Sequence, residues 1–379
     1  MKRYEISWMR EFECSGGNCP QSCCRGWVIP LEEEDIERFK AEKGRLYMAL
    51  FIATGGWTKQ FFNSDSGSCP FWGKDGLCRM QKEKGHEFIP WTCQSFPRFY
   101  RNFGPFEEAC LDLSCIGAAG LFIRHMGKLD VIECEGDPVT EPCTTNDDTA
   151  YLDMLTRLRT EMTDEVSRGL TKELADAMFS FAAYLQDEFA TKKDISYDDI
   201  SFERFISNHH GSASVFAGDH SFPLPPDVLK HLIDSPLFHP RLRWVNPDLY
   251  RMLAGARKMI RRFTKHSKWN EAVADDFRKH KILLPVIQAY LSYHLYQYFM
   301  RSFETYSFRR QVAITLIHTN MILVLAMAHV FENPEKELTG DDLAGIIAAY
   351  NRRAFFSDSI QDSMYRIFED GLKFTPDPS

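Results

Sequence analysis

All eleven cysteines of this 379-residue chain lie in its first 143 positions. Four of them fall in the stretch CSGGNCPQSCCRGW, residues 14–27, and two of those four are adjacent. Thiols at this density serve in disulfides, in metal ligation or in redox chemistry. The choice among these uses depends on whether the chain folds in an oxidising or a reducing compartment.

Two segments bear on the compartment. The N-terminal residues MKRYEISWMREFEC are charged throughout and lack the apolar core of a secretory signal. Residues 312–331 are apolar and long enough to cross a membrane, but His318, Asn320 and His329 interrupt them. We therefore expect a buried core helix rather than a membrane span, and a cytoplasmic protein.

The reducing cytosol and the odd number of cysteines both argue against a disulfide framework and favour metal binding. The net charge of −8 argues against nucleic acid as a partner, because phosphate binding needs a clustered positive surface.

The spacing of the thiols bears on which metal they bind. Sets of four thiolates select zinc or an iron–sulfur cluster. Cys19-x3-Cys23 fits a zinc knuckle, whereas Cys69-x8-Cys78 is too long for one, and adjacent Cys23 and Cys24 suit a single tetrahedral ion poorly. An iron–sulfur cluster or two separate sites is favoured, with zinc as the alternative. The C-x3-C-x2-C motif of radical S-adenosylmethionine enzymes is absent: after Cys19 and Cys23 it would need a third cysteine at position 26, which is Gly.

The chain divides by composition into three parts. Residues 1–125 are rich in Gly and Pro and predict irregular loops around a metal, with a helix at 31–44 that Gly44 ends. Residues 126–150 read as a linker by composition, and a short strand is expected at 127–134, across the start of this linker.

Residues 151–379 predict an α-helical body, so the fold class is mainly α with an irregular, cysteine-rich, metal-binding N-terminal region. Apolar residues recur every three or four positions. A helix cap is expected at Asp147 or Asp148, and the first helix either continues past Gly169 or divides there. Further helices are predicted at 248–266, from 270, at 286–299, 308–332, 340–351 and 357–371.

Three stretches resemble the flagellin lysine-N-methylase (FliB) family and the broader CxxCC-type metal-chelating proteins. They are FECSGGNCPQSCCRGW, CPFWGKDGLCRMQKEKGHEFIPWTCQSFPR and LDLSC, and the resemblance is sharpest over residues 12–119. It implies transfer of a methyl group from S-adenosylmethionine to lysine ε-amines of flagellin, with a [4Fe-4S] cluster in the N-terminal region. The cysteines at the family's motif positions are Cys14, Cys19, Cys23, Cys24, Cys69, Cys78, Cys93 and Cys115.

The chain departs from the family pattern at one point. After LSC the family continues with Pro-Glu, whereas this chain has Ile116 and Gly117, so any role of that glutamate is lost or moved here. Cys110, Cys134 and Cys143 lie outside the motif.

Methylation of lysine requires a neutral amine, and free lysine has a pKa of about 10.4, so the site must supply a base or desolvate the amine. Glu107, Glu108 and Asp112, just before Cys115, are the candidate bases, although a solvated acidic turn is the simpler interpretation. No other catalytic residue is assigned.

A conventional nucleotide-binding turn is absent, since GAAG at 117–120 has neither the G-x-G-x-x-G spacing nor a clear preceding strand. S-adenosylmethionine is therefore expected to bind by an unconventional site, with its amino and carboxylate groups on an iron corner. The alternative functions are a non-catalytic zinc or iron–sulfur module and an electron-transfer or redox-sensing iron–sulfur protein.

Overall fold

The structure is a computed structural model that describes residues 1–26, 29–59, 62, 68–191, 195–209, 222–237, 242–265, 268–355 and 357–373. Its strands are β1 (Lys2–Ile6), β2 (Arg98–Asn102), β3 (Phe106–Leu111) and β4 (Val131–Glu135). The helices are α1 (Glu33–Lys40), α2 (Gly44–Ala53), α3 (Arg79–Lys84), α4 (Trp91–Ser95), α5 (Ile116–Arg124), α6 (Thr149–Arg168), α7 (Lys172–Thr191), α8 (Phe202–His209), α9 (Pro226–Leu232), α10 (Leu242–Val245), α11 (Pro247–Lys265), α12 (Trp269–Lys279), α13 (Leu283–Tyr298), α14 (Ser302–Thr305), α15 (Phe308–Glu332), α16 (Gly340–Ala354) and α17 (Asp358–Lys373).

The described strands form one four-stranded sheet in the order β2-β3-β1-β4. β1 runs parallel to β3, with Lys2 opposite Phe106, and the other two pairings are antiparallel. The strand predicted at 127–134 is confirmed as β4. The N-terminal region was expected to be irregular apart from short helices, and that expectation is wrong in one respect, because β1, β2 and β3 build this sheet there.

The helical body agrees with the periodicity of the sequence. α6 and α7 are separate helices divided at Gly169, and the Asp148 side chain caps α6 by accepting a hydrogen bond from the Tyr151 N–H at 2.9 Å. The predicted stop at Gly44 is wrong: α1 ends at Lys40, and Gly44 begins α2. Gly44 has a φ of +71°, so it turns the chain between the two helices.

α15 is the central helix of the body. It is 25 residues long and packs against α7, α11, α13 and α17. Its most apolar 18-residue window is long and apolar enough for a membrane span, but 83% of that window is buried inside the protein. Burial on all sides explains why this helix is apolar around its whole circumference, and it matches the predicted core helix.

Two hydrophobic clusters organise the described residues. The larger one joins the helices of the body to β1, β3 and α5, through residues such as Ile6, Leu111 and Phe122. The smaller one lies within residues 29–89 and includes Phe39 and Phe71. The N-terminal region therefore contributes to both clusters, and the domain bounds 1–125, 126–150 and 151–379 stay predictions.

Polar contacts fasten the sheet to the body. The Tyr293 hydroxyl of α13 donates to the Leu111 carbonyl at 2.6 Å and accepts from the Leu111 N–H at 2.9 Å. Arg159 of α6 forms a two-pronged ion pair with Glu108 of β3, at 2.7 and 2.5 Å. Both partners of that pair are buried, so each depends on the other for its charge balance.

Two histidines lie in the interior of the body with their ring centroids 6.2 Å apart. His294 is 1% exposed and His318 is fully buried, and the Phe355 ring packs against both. Nδ1 of His318 is 2.6 Å from the Tyr350 hydroxyl. Burial lowers the pKa of His318 to about 3 and the pKa of His294 well below its usual range, so both rings are neutral in the fold.

We predict that acid destabilises this protein through the two histidines. In the unfolded chain a histidine takes up a proton near pH 6.5, whereas the folded rings resist protonation, so stability is complete above pH 6.5 and falls as the pH drops toward 3. Each histidine contributes a slope of about 1.4 kcal/mol per pH unit in that window. Urea unfolding at pH 7.5, 6 and 5 measures it.

The variant His318→Gln tests the assignment, with exposed His86→Gln as the control. In His318→Gln, the pH dependence of the unfolding free energy is expected to be smaller by about 1.4 kcal/mol per pH unit, which is the contribution of one histidine. In His86→Gln it is expected to equal that of wild type. Equal slopes in all three proteins would refute the prediction.

Candidate functional site

The first two cysteine segments lie directly against each other. The Cys69 N–H donates to the Cys24 carbonyl at 2.7 Å, and Arg25 and Ser68 form an isolated antiparallel bridge. A Cβ at Gly76, where φ is +77°, would lie 2.9 Å from the Gly17 carbonyl oxygen. Glycine at this position therefore lets two backbone turns approach closely, which brings both groups of thiols together.

Helix α1 holds the segment that carries Cys93. The buried Asp35 carboxylate accepts from the Trp91 N–H at 3.1 Å and also from Arg38. Arg38 donates in turn to the Phe88 and Ile89 carbonyls, at 3.3 and 3.1 Å. These bonds fix the start of α4, on which Cys93 lies, against the small hydrophobic cluster.

Cys115 stands at the N-terminus of α5, next to a residue from the far end of the chain. Its thiol accepts hydrogen bonds from the N–H groups of Gly117 and Ala118. The guanidinium of Arg352, on α16, donates to the Ser114 carbonyl at 3.0 and 3.3 Å, to Ser22 at 3.1 Å and to Gln21 at 2.8 Å. Arg352 thus joins the first cysteine segment to the segment of Cys115.

The eight cysteines at the motif positions are linked to one another by electrostatic interactions between their thiols. Burial, with smaller contributions from nearby thiols, raises the pKa of Cys69 and of Cys115 to about 11. The pKa of Cys23 is raised chiefly by its hydrogen bond with the Cys24 thiol. The charge interactions that connect the group are those of Cys14 with Cys19, of Cys19, Cys69, Cys93 and Cys115 with Cys23, and of Cys78 with Cys69 and Cys93.

The other three cysteines lie elsewhere. Cys110 is buried beside Tyr293, Cys134 of β4 faces Glu5 and Arg10, and Cys143 neighbours Glu304. The structure therefore separates the eight motif cysteines from the three outside the motif.

No disulfide joins any of the eleven cysteines, all of which belong to the described part of the chain. Among the described residues, no three His, Cys, Asp or Glu side chains already surround one point closely enough to hold a metal ion. Ligation by the eight cysteines stays a prediction.

The three acidic candidates have different surroundings, and none is a solvated turn. The Glu107 carboxylate is fully buried and accepts from the Arg3 side chain at 2.8 Å and from the N–H groups of Val139 and Thr140. Glu108 is committed to its ion pair with Arg159. Both glutamates are therefore occupied in holding the fold.

Asp112 is the candidate whose carboxylate is least engaged. It accepts from the Ser114 N–H at 2.8 Å and forms no ion pair within the described residues. Burial raises its pKa, and the nearby Arg352 opposes that shift. Because Arg352 also faces Cys19, Cys23 and Cys115, Asp112 lies at the edge of the thiol group.

Arg352 and Asp35 are absent from the sequence-based prediction. Arg352 contacts residues 238 to 331 positions away, and no local pattern in NRRA marks it as a partner of cysteine segments. The role of Asp35 could have been inferred in part from the sequence, because an acidic residue at the third helical position is typical of a capping box at the start of a helix.

Comparison with curated proteins finds three relatives from Salmonella. The chain is 30% identical over 119 residues to the flagellar biosynthetic protein FliU of Salmonella muenchen. The matched residues make up 29% of this chain and 70% of FliU. It is equally similar, over 119 residues, to the proteins named lysine-N-methylase from Salmonella typhimurium and Salmonella choleraesuis. That match spans 30% of the length of each lysine-N-methylase. No family model matches the chain, and no solved structure matches it.

We predict that Gly76→Ala loosens the contact between the first two cysteine segments. Ala at this φ carries a conformational cost of about 1–2 kcal/mol, and its Cβ also meets the Gly17 carbonyl. Gly44→Ala is the matched control, because Gly44 has a similar φ of +71° but nothing within 4 Å of the added Cβ.

Urea unfolding and hydrogen exchange of residues 14–26 provide the measurement. Gly76→Ala is expected to lose at least about 1 kcal/mol more stability than Gly44→Ala, since only the former must displace backbone. It should also speed exchange in residues 14–26. Equal losses and unchanged exchange would show that the close approach is unimportant.

Proposed function

Because this chain belongs to the flagellin lysine-N-methylase (FliB) family, we propose that it transfers methyl groups from S-adenosylmethionine to lysine side chains of flagellin. The match to FliU, a flagellar protein, and to two lysine-N-methylases supports both the reaction and the substrate. What supports particular residues is the electrostatic coupling among the motif thiols, together with the position of Asp112 close to Arg352, which also acts on Cys19, Cys23 and Cys115. We further propose that the protein works in the cytoplasm, where thiols stay reduced.

The chemistry of the donor set fits a soft metal centre. The thiols come from three segments of the chain, none is used in a disulfide, and they are held by turns and helix ends. We propose that they hold a [4Fe-4S] cluster, with zinc as the alternative. A cluster with all four irons ligated by cysteine uses four thiolates, and one that keeps an iron corner open uses three, so this group of eight has thiols left for a second site or for ligand exchange.

A cluster bound here would supply an iron corner for the amino and carboxylate groups of S-adenosylmethionine. The absence of a G-x-G-x-x-G turn supports this unconventional mode, since the sequence lacks the glycine-rich strand-to-helix turn of an ordinary nucleotide-binding fold.

Asp112 is proposed as the general base. The lysine ε-ammonium passes one proton to the Asp112 carboxylate, and the neutral nitrogen then attacks the methyl carbon of the sulfonium. A C–N bond forms as the C–S bond breaks, and S-adenosylhomocysteine leaves as a neutral thioether. Glu107 and Glu108 are excluded from this role because their oxygens are occupied by Arg3, backbone N–H groups and Arg159.

A second candidate function is a non-catalytic metal module. Cys69, Cys78 and Cys93 pack against the small hydrophobic cluster, as ligands of a structural metal would. An electron-transfer iron–sulfur protein is a third candidate, and the first two measurements below separate all three.

We predict that the protein purified without oxygen contains iron and acid-labile sulfide, and that it labels purified flagellin from S-adenosylmethionine with an isotopic methyl group. Mass spectrometry locates the label on lysine. Zinc without sulfide and without label would establish the structural module. A redox-active cluster that never labels lysine would establish electron transfer.

We predict that Asp112→Asn lowers kcat by roughly 10²–10⁴-fold, because the variant cannot accept the ammonium proton. Raising the pH is expected to restore part of the rate, since solution then deprotonates the amine. Glu133→Gln is the control, because Glu133 contacts Lys2 and Tyr4 on the sheet and none of the motif cysteines among the described residues. Iron content and unfolding midpoint should be unchanged in Asp112→Asn. A kcat equal to that of the control would remove Asp112 from the mechanism.

A further inference from the structure

We propose that Arg352 is a positioning residue for the thiol group, acting as its buried counter-cation and as the clamp by which the helical body holds two of its segments. The role as a clamp is inferred from the hydrogen bonds of Arg352 within the chain and does not depend on a bound metal. The identity of the metal rests on the proposed function.

The clamp follows from the geometry of the guanidinium. A guanidinium has five N–H donors in a rigid fork, and Arg352 directs them at three backbone carbonyls. Those carbonyls belong to Gln21 and Ser22, in the first cysteine segment, and to Ser114, beside Cys115. One side chain on α16 therefore sets the distance between Cys23 and Cys115.

The chain passes closely over the aliphatic part of the same side chain. A Cβ at Gly26 would lie 3.1 Å from Cδ of Arg352, and Gly26 has a φ of +90°. Glycine thus allows the first cysteine segment to turn tightly around the arginine stem.

The need for an anionic neighbour follows from burial. Arg352 is 8% exposed, and within the described residues it forms no ion pair with a carboxylate. A buried charge without a partner is costly. The groups near it that would be anionic once deprotonated are Cys23, Cys115, Cys19 and, with a smaller effect on Arg352, Asp112. A thiolate–metal centre carries net negative charge, so it balances the guanidinium where neutral thiols would not.

Two substitutions in the full-length chain separate the clamp from the charge. Arg352→Lys keeps the positive charge and loses the fork of donors, whereas Arg352→Gln keeps one donor group and loses the charge. Arg353→Gln, on the same helix, is the control for loss of a positive charge from α16.

Hydrogen exchange tests the clamp without any metal. Both variants are expected to exchange residues 19–25 and 112–118 at least about tenfold faster than wild type, as expected when buried hydrogen bonds are lost. Residues 79–93, which Arg352 does not contact, and the Arg353→Gln protein should be unchanged. Unchanged exchange at 19–25 and 112–118 in both variants would overturn the clamp.

Metal binding tests the charge, with Co²⁺ as the probe and thiolate-to-cobalt absorption as the signal. Arg352→Gln is expected to weaken Co²⁺ binding at least about tenfold, whereas Arg352→Lys should stay within a few-fold of wild type because it retains the cation. The iron-loaded proteins should differ in the same order in reduction potential, with Arg352→Gln lowest. Equal Co²⁺ affinity in wild type and Arg352→Gln would overturn the counter-cation.

The outcomes remain distinguishable when one part fails. If Arg352→Gln does not fold, Arg352→Lys decides the clamp through its exchange pattern, and uniform acceleration along the chain would refute a local role. If wild type binds neither Co²⁺ nor iron, the metal in the proposed function and the counter-cation fail together, whereas the exchange experiment still decides the clamp.

Discussion

The N-terminal region depends on its contacts with the helical body, because only a small hydrophobic cluster is its own and its other buried apolar residues belong to the core that it shares with the body. Eleven described residues make up its small hydrophobic cluster, and clusters of that size rarely sustain a fold without a metal, disulfides or a larger partner. The body supplies that partner through Arg352, Arg159 and Tyr293, each of which meets the N-terminal region with donors or acceptors that the region leaves unpaired. The cysteine segments are therefore held from outside by residues of the helical body.

Much of the helical body could be predicted because helix periodicity is local. The spacing of leucines and aromatic residues predicted α6, α7, α11, α12, α13, α15, α16 and α17, and Asp148, one of the two expected caps, does cap α6. The four-residue helix α14 was not predicted. The sheet could not be predicted in this way. β3 reads FEEACL, whose two glutamates are typical of a surface turn, and only the distant partners Arg3 and Arg159 make their burial possible.

The candidate site likewise combines local features that the sequence predicts with long-range contacts that it does not. The family resemblance singled out the eight motif cysteines, and electrostatic interactions link their thiols in the structure, whereas Cys110, Cys134 and Cys143 have other neighbours. The role of Arg352 could not be predicted from the sequence, because its contacts depend on how α16 packs against α5. Close approach of Gly17 and Gly76 is equally non-local, since either glycine alone reads as an ordinary turn.

The three acidic residues before Cys115 show how surroundings assign roles to chemically similar groups. All three stand within six positions of sequence, and composition cannot rank them. Glu107 binds Arg3 and the N–H groups of Val139 and Thr140, so its negative charge holds β3 to the segment after β4. Glu108 neutralises a buried arginine. Asp112 stands beyond the end of β3, where the strand gives way to the turn that leads into α5, and its carboxylate has one backbone donor and no ion pair among the described residues. A carboxylate with spare acceptor capacity, at the border between the thiol group and the body, is the one of the three that can take a proton from a lysine without dismantling the fold.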